Sequence, residues 1–335
     1  MAITSRDVAR MAGVSQPTVS RVLRGVPGVA PETRERVLSA AKALSYVPSE
    51  TGRSLATRAT RRIGLVADDL TNPFYPELVE PLRDRLEQAG YRALLVSDRV
   101  DDPVEADRLA DGSLDGVVLT TTETGSTLPH ELVRRGVPCV LANREAAGLS
   151  ADTCVVDNQL GGAQVAGLLA SLGHRRIGAV FGPASTSTGR DREAGFRAAL
   201  GERGIPLPGE SVRRGPFTHD AGRAAVGELL ALSDPPTAVF CANDVVAMGA
   251  CSAAAALGVR VPDGLTVVGF DDIAMAGWDV FGLSTVRGDL TVMADEVVRM
   301  LLARIADPER PAERVVIAPT LVLRRSHRAV GEERP

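Results

Sequence analysis

Two short amphipathic segments within the first 25 residues flank a tight turn at Gly13-Val14. This arrangement is typical of a helix-turn-helix, a motif that places its second helix in the major groove of DNA. We expect Thr4 to accept the N–H of the first turn, with Asp7 as its reciprocal partner in a capping box. Helical periodicity places three small apolar residues on the inner face of the first helix: Val8, Ala9 and Ala12.

The second segment carries its own start signals. Ser15 is suited to cap a helix, and Pro17 falls in the first turn, where a missing N–H costs little. The inner face of this helix is apolar: Val19, Val22 and Leu23. Other side chains of its N-terminal half point outward, as in a recognition helix that meets base edges: Gln16, Pro17, Ser20 and Arg21. The alternative interpretation is a small all-α cap domain without a DNA partner.

Charge is segregated along the chain. Residues 1–62 contain 11 Arg and Lys against 4 Asp and Glu, a net charge of +7, whereas the whole chain carries −4 and the remainder therefore −11. A basic segment supplies the phosphate contacts that dominate affinity for DNA, and DNA repels an acidic body. The segregation favours nucleic acid as the partner of the first 62 residues.

Beyond residue 62, short strand-like apolar runs alternate with amphipathic helical stretches. This pattern is typical of parallel sheets covered by helices on both faces, and its extent suits two doubly wound subdomains. The predicted strands are 63–67, 93–97, 116–120, 139–142, 154–156, 177–181, 212–215, 238–241, 266–269 and 314–323. The predicted helices include 77–88, 160–172, 190–202, 220–230, 245–257 and 290–306.

Composition and motifs argue against several other classes of protein. No apolar run approaches the roughly 18 residues of a membrane span, and we expect no signal peptide. Nucleotide-binding glycine fingerprints are absent and the four histidines lack metal-ligand spacing, so no cofactor or metal is expected. The cysteines form no CxxC pair and are expected to be buried thiols in a reducing cytosol: Cys139, Cys154, Cys241 and Cys251.

Motifs along nearly the whole chain resemble those of the lactose/galactose repressor family of bacterial transcription regulators. The first half contains DVARMAGVSQPTVSRVLRG, PETRERVLSAAKALSYVPS, RSLATRATRRIGLV and DDLTNPFYPELV. The second half contains DNQLGG, GHRRIGAVFGP, RDREAGFRAAL, PTAVFCANDVVAMGA, LTVVGFDD and LVLRRS. The set is specific, because it extends far beyond a lone helix-turn-helix.

The resemblance implies an all-α helix-turn-helix head, a hinge, and an α/β core of two doubly wound parallel-sheet subdomains, similar to type I periplasmic binding proteins. The head, the hinge and the effector-binding and dimerisation core would span residues 1–47, 48–62 and 63–335. The core would comprise subdomain N (63–159 and 289–320) and subdomain C (161–287 and 321–326), with chain crossings near 159–161, 287–290 and 320–322. Ligands bind at the carboxyl ends of such strands, so the cleft between the subdomains is the expected effector site.

By resemblance, residues just after the cap of the recognition helix select the operator. Gln16 can pair bidentately with adenine and Arg21 with guanine, at about 1–3 kcal/mol of discrimination for each pair. Pro17 can contact a thymine methyl, and Arg24 is assigned to the DNA backbone. In the hinge, Leu55 matches a family residue that wedges into the minor groove at a central CpG step. The expected DNA-binding set is Thr4, Ser5, Ser15, Gln16, Pro17, Thr18, Ser20, Arg21, Arg24, Arg53 and Leu55.

The resemblance also implies a set of cleft residues on loops that follow strands. Carboxylate, amide and guanidinium groups can hold vicinal hydroxyls and aromatic rings can stack on a sugar face, so the set suits a saccharide better than a purine. We expect Arg192 and Asp271 to hold the effector from opposite walls. Alternatively, Asp271 and Asp272 cap a helix, and Phe74 and Phe217 belong to the core. The expected effector-binding residues are Asp68, Phe74, Asn143, Arg144, Arg192, Phe217, Asn243 and Asp271.

These features predict a cytoplasmic, homodimeric DNA-binding regulator rather than an enzyme. It would bind a pseudo-palindromic operator and repress sugar-utilisation genes until a small-molecule effector, a sugar, occupies the cleft. The leucine heptads that form tetramers in the family are absent. The alternatives are a small-molecule receptor with the same core, and a hydrolase that uses Asp68, Asp69 and Asp271 as acid and base.

Overall fold

The computed structural model describes residues 3–23, 25–46, 59–67, 70–97 and 104–331. The chain divides into two compact units, Met1–Arg61 and Arg62–Pro335. Four residues with expected functional roles lie outside the described residues: Arg24, Arg53, Leu55 and Asp68.

The described part of the first unit contains three helices: α1 (Ser5–Ala12), α2 (Gln16–Leu23) and α3 (Pro31–Ala43). Gly13 has a φ of 65°, a left-handed conformation that favours glycine and ends α1 at the predicted turn. One small core joins the three helices: Val8, Ala9, Ala12, Val19, Val22, Val37, Ala40 and Ala41. Leu23 packs against it half-buried. The predicted helix-turn-helix is confirmed, because both predicted inner faces pack into this core.

The second unit alternates strands and helices, and none of the helices in its described part is long and apolar enough to cross a membrane. Its elements are β1 (Arg62–Ala67), α4 (Phe74–Gln88), β2 (Arg92–Ser97), α5 (Ala106–Leu109), β3 (Gly116–Leu119), α6 (Leu128–Arg134), β4 (Cys139–Ala142), β5 (Asp152–Val156), α7 (Asn158–Ser171), β6 (Ile177–Phe181), α8 (Ser187–Glu202), β7 (Val212–Arg214), α9 (His219–Leu230), β8 (Ala238–Cys241), α10 (Asp244–Ala256), β9 (Thr266–Val268), β10 (Thr285–Arg287), α11 (Leu290–Ala306), β11 (Arg314–Ile317) and β12 (Thr320–Val322).

The described strands form two parallel sheets and one antiparallel pair. The larger sheet has six strands in the order β11-β5-β4-β3-β1-β2, and the smaller has four in the order β7-β6-β8-β9. All neighbours within these two sheets pair in parallel, while β10 and β12 pair antiparallel. The predicted fold class, parallel sheets in an α/β core behind a helical head, is therefore confirmed.

The sequence pattern was wrong about the last strand. A single strand over 314–323 was predicted, but the segment divides into β11, which pairs with β5, and β12, which pairs with β10. Pro319 stands between them, and a proline cannot donate to a strand ladder. Strand β10 was not predicted at all, because three residues show no clear period.

Several helices begin earlier than predicted, because polar side chains cap them. Asp157 accepts the N–H of Leu160 at 2.9 Å, so α7 begins at Asn158. Thr186 Oγ1 accepts the N–H of Gly189 at 3.0 Å, so α8 begins at Ser187. Side-chain oxygens at such positions satisfy backbone donors that lack helical partners.

The cysteines lie in or near the core. Cys139, Cys154 and Cys241 are buried, whereas Cys251 is half-buried. Burial raises the pKa of Cys139 and Cys154 to about 12 and that of Cys251 to about 11. These thiols therefore stay protonated at neutral pH, which suits packing rather than reactivity.

Candidate functional site

Side chains fix the starts of both helices of the helix-turn-helix. The predicted capping box of α1 is present: Asp7 accepts the backbone N–H of Thr4 at 2.9 Å and its hydroxyl at 2.7 Å. These two hydrogen bonds lower the pKa of the Asp7 carboxyl. At the start of α2, Ser15 Oγ accepts the N–H of Thr18 at 3.4 Å and lies 2.8 Å from its hydroxyl.

The outer surface of α2 presents the side chains that were predicted to read DNA. Gln16, Pro17 and Arg21 are exposed, and Ser20 is half-buried. Gln16 Nε2 donates to Ser5 Oγ at 3.1 Å, so α1 orients this amide. An amide and a guanidinium on one exposed helix face can contact base edges in the major groove.

A cleft lies at the carboxyl ends of strands from both sheets of the second unit. All seven described residues of the predicted effector set line it: Phe74, Asn143, Arg144, Arg192, Phe217, Asn243 and Asp271. Three further lining residues were not predicted: Asn72, Tyr75 and Thr188. Asn72 and Tyr75 lie within two residues of the predicted Phe74, and Thr188 lies one turn before the predicted Arg192 in α8. Proximity in sequence to predicted residues was therefore the available signal.

Arg192 and Asp271 do not face each other across the cleft, and the prediction of opposite walls was wrong. Arg192 Nη2 donates to Asp271 Oδ1 at 2.8 Å. The other guanidinium nitrogens bond Asn158 Oδ1 at 2.9 Å and the Ala242 carbonyl at 2.6 Å, and the guanidinium carbon lies 3.7 Å from the centre of the Phe270 ring. Both residues belong to the side of the cleft built on the four-stranded sheet.

The adjacent carboxylates after β9 serve as ion-pair partners. Asp271 has a φ of 110° and Asp272 a φ of 57°, so the chain turns sharply here. Asp272 accepts from Arg287 Nε at 2.6 Å and pairs with Arg324 Nη2 at 2.7 Å. Burial raises the pKa of Asp271, and Arg192 opposes this shift. The alternative that these two residues cap a helix receives no support from their partners.

Asn243 and Asp244 tie the start of α10 to the cleft. Asn243 Oδ1 accepts the N–H of Val246 at 2.9 Å, so the carboxamide nitrogen is the group left to face a ligand. Asp244 is fully buried, and it accepts from Thr285 Oγ1 at 2.5 Å and from the N–H of Ile273 at 3.0 Å. Burial, with Asp271 nearby, raises the pKa of Asp244 well above its ordinary value.

Asn143 and Arg144 follow β4 on the other side of the cleft. Asn143 has a φ of 68°, a conformation that asparagine tolerates better than most residues. This left-handed residue turns the chain so that both side chains line the cleft, where both are buried.

The two aromatic residues of the predicted set differ in burial. Phe74 is buried, meets Tyr75 edge-on at 5.5 Å between ring centres, and belongs to the main core as well as the cleft. Phe217 is half-buried and lies against the backbone of Gly182, where a Cβ would come within 2.4 Å of its ring. Phe217 is therefore the better placed of the two to stack on a ligand.

Comparisons with known proteins cover both units. Residues 4–49 match the model of "Bacterial regulatory proteins, lacI family", and residues 166–327 match that of a "Periplasmic binding protein-like domain". The chain is 36% identical over 328 residues to the HTH-type transcriptional repressor PurR of Photorhabdus laumondii, which covers 96% of each chain. It is 32% identical over 332 residues to the HTH-type transcriptional regulator DegA of Bacillus subtilis, which covers 97% of this chain and 98% of DegA.

Two solved structures extend the comparison. The transcriptional regulator CelR in complex with cellobiose is similar with a TM-score of 0.74 and 33% identity, over 97% of this chain and 99% of CelR. The lac repressor dimer bound to operator and the anti-inducer ONPF has a TM-score of 0.88 at 24% identity, over 98% of this chain and 100% of that chain. The second likeness concerns the fold alone.

Proposed function

This chain belongs to the lacI family of bacterial regulatory proteins and is a ligand-responsive DNA-binding transcriptional regulator; from that premise we propose that it represses sugar-utilisation genes until a saccharide occupies its cleft. The observation that carries the proposal is the convergence of seven predicted polar and aromatic side chains on one cleft. Sugars present vicinal hydroxyls and an apolar face, which such groups recognise.

DNA recognition is assigned to the exposed face of α2. Gln16 and Arg21 would read bases, and Pro17 would contact a thymine methyl. Ser5, Thr18 and Ser20 would bond phosphates, which position the protein without specifying sequence. Thr4 and Ser15, also in the expected DNA-binding set, cap the two helices that carry these side chains. Arg24, Arg53 and the proposed wedge Leu55 would add contacts from outside the described residues.

A pair of chains is proposed to act as a homodimer on a pseudo-palindromic operator. Two identical heads related by a two-fold axis match two half-sites, which is the usual geometry of this motif.

Subdomain N (63–159 and 289–320) and subdomain C (161–287 and 321–326) would form the core that follows the hinge in sequence. The separation of the six-stranded sheet from the four-stranded sheet supports this division. A regulator of chromosomal genes would act in the cytoplasm.

The ligand is proposed to bind one arrangement of the cleft better than another, and this difference in affinity sets the regulatory coupling. The similar CelR structure contains cellobiose, which supports a sugar for this chain. A non-enzymatic role is proposed as well, because Asp271, the carboxylate among the described lining residues, is engaged by Arg192 rather than poised for acid–base work. Asp68 and Asp69 lie outside the described residues.

A thermal-shift screen over sugars and nucleosides tests the proposal. A true effector at about 100 times its Kd stabilises the fold by roughly 2.7 kcal/mol. The compound that raises the melting temperature should also release the protein from its operator. A nucleoside that stabilises and acts on operator binding, with no sugar doing so, would contradict the saccharide assignment.

A further inference from the structure

Arg144 is a buried cation in the cleft with a donor that nothing satisfies. Its side chain is 8% exposed, and its Nε has no hydrogen-bond partner in the part of the chain that the structure describes. Its polar contacts are long: Nη1 lies 3.4 Å from the Thr121 carbonyl and 4.0 Å from Glu123, whose carboxylate is 47% exposed. A buried charge without close partners is unfavourable, and buried donors are nearly always bonded.

Arg192, the second arginine of the cleft, has a hydrogen-bond partner for each of its guanidinium nitrogens. Arg192 uses all three of its nitrogen atoms in hydrogen bonds no longer than 2.9 Å, and Asp271 neutralises its charge. Arg192 therefore belongs to the wall of the cleft. Arg144, unlike Arg192, still has a guanidinium donor available for a ligand.

Asp271 is close enough for Arg144 to lower the pKa of its carboxyl, but Asp271 forms its ion pair with Arg192. Asp272 is bound by Arg287 and Arg324. Asp244 is fully buried, and its carboxyl oxygens accept from Thr285 Oγ1 and from the N–H of Ile273. Among the described lining residues of the cleft, two are arginines and one, Asp271, is a carboxylate. The described part of the lining thus has one more cationic than anionic side chain.

We propose that the effector carries an acidic oxygen group, a carboxylate or a phosphate, that pairs with Arg144. The inference rests on the proposed function, which makes this cleft the effector site, and it narrows the ligand from saccharides in general to acidic ones. A guanidinium offers parallel donors that match both kinds of anion.

The neighbouring ring supports the same geometry. Phe217 lies with its centre 6.0 Å from the guanidinium carbon of Arg144. A ligand whose acid group reaches Arg144 can therefore place a sugar face near this ring. An acidic monosaccharide, or a monosaccharide phosphate, combines these two features.

Anion-specific stabilisation tests the inference without knowledge of the effector. The melting temperature of the full chain is measured in acetate, phosphate and chloride at equal ionic strength, for wild type, Arg144→Gln and Arg144→Lys. Arg176→Gln is the matched control, because Arg176 is 52% exposed and pairs with Asp234 on the surface. Phosphate stabilises proteins generally, so the informative quantity is the difference between variants.

We expect acetate, phosphate or both to raise the melting temperature of wild type and Arg176→Gln more than that of Arg144→Gln, with Arg144→Lys intermediate. A larger rise of the melting temperature in acetate indicates that the effector carries a carboxylate. A larger rise in phosphate indicates that it carries a phosphate ester. Once an effector is found, Arg144→Gln should raise its Kd on the order of 30-fold or more. Equal shifts in all variants, or no anion-specific shift in wild type, would overturn the inference.

Operator binding by wild type, measured in parallel, separates the two proposals. If the wild-type protein binds an operator and a neutral sugar releases it, this result supports the proposed function and contradicts the acidic effector. A chain that shows the Arg144-dependent anion shift but binds no operator contradicts the proposed function and leaves the anion site standing.

Discussion

Arg192 and Asp271 form a buried ion pair, with Nη2 and Oδ1 2.8 Å apart and side chains that are 5% and 8% exposed. The pair joins helix α8 to the turn after β9, and Phe270 covers the guanidinium. These contacts complete one wall of the cleft before any ligand arrives. Preorganised walls reduce the ordering that a ligand must otherwise cause on binding.

Removal of one member of this pair should destabilise the fold. Arg192→Gln leaves the Asp271 carboxylate buried without its cation, which costs about 3–5 kcal/mol in comparable pairs. Urea denaturation measures the change in the free energy of unfolding, and Asp271→Asn in the Arg192→Gln background should restore part of it. Arg190→Gln on the same helix is the control, because Arg190 is half exposed. Equal stability of Arg192→Gln and wild type would refute this account of the wall.

Glu77 links the two sides of the cleft. Its carboxylate oxygens lie 2.9 and 3.2 Å from the backbone nitrogen of Ala274, which connects α4 to the turn after Asp272. Hydrogen exchange of the Ala274 amide should therefore be faster in Glu77→Ala, whereas Glu77→Gln keeps an acceptor and should change it little. Glu80→Ala, on the exposed face of α4, is the control. Unchanged exchange in Glu77→Ala would show that this link does not hold the turn.

The Asp244 carboxyl should make stability depend on pH. Burial raises its pKa well above the ordinary value of 3.8. A carboxyl with a higher pKa in the folded chain stabilises the fold most at low pH, and this contribution is lost as pH rises through the folded value. Asp244→Asn mimics the protonated form, so its melting temperature should fall less than that of wild type as pH rises above 3.8. The control is Asp157→Asn, because Asp157 caps α7. Parallel profiles of melting temperature against pH for wild type and Asp244→Asn would rule out the effect.

Leu55, outside the described residues, is predicted to wedge the centre of the operator. Unstacking a base step costs a few kcal/mol and is offset by contacts that the bent DNA permits. Leu55→Ala should weaken specific binding and spare salt-sensitive non-specific binding, because the arginines that neutralise phosphates remain. Binding to operators with central CG and central GC steps, at one salt concentration, provides the measurement. If wild type and Leu55→Ala discriminate the two operators equally, the hinge is only a tether.

Local sequence rules were enough to predict much of the fold and which described residues line the cleft. The capping box of Thr4 and Asp7 depends on residues three apart, so the sequence displays it directly. Among the cleft residues, Asn143 directly follows the apolar strand β4 and Asn243 lies two residues after β8. Parallel strands bring such positions to one edge of the sheet.

Contacts between segments that are distant in the chain could not be predicted from the sequence. Arg192 and Asp271 are 79 residues apart, and nothing in either local pattern shows that they pair with each other rather than with a ligand. Strand β10 depends on its pairing with β12, in which Thr285 faces Val322, 37 residues later in the chain. Three residues carry too little period to reveal such a strand. The unpaired Nε of Arg144 likewise required the three-dimensional arrangement of its neighbours.

The central claim is that the first 62 residues read a specific operator. Selection of bound duplexes from a randomised pool, by the full chain and by a chain that lacks residues 1–60, tests it most directly. We predict that the full chain enriches a two-fold symmetric sequence and binds it at least about 1,000-fold more tightly than unselected DNA, and that the shortened chain enriches nothing. Enrichment of the same sequence by the shortened chain would contradict the account.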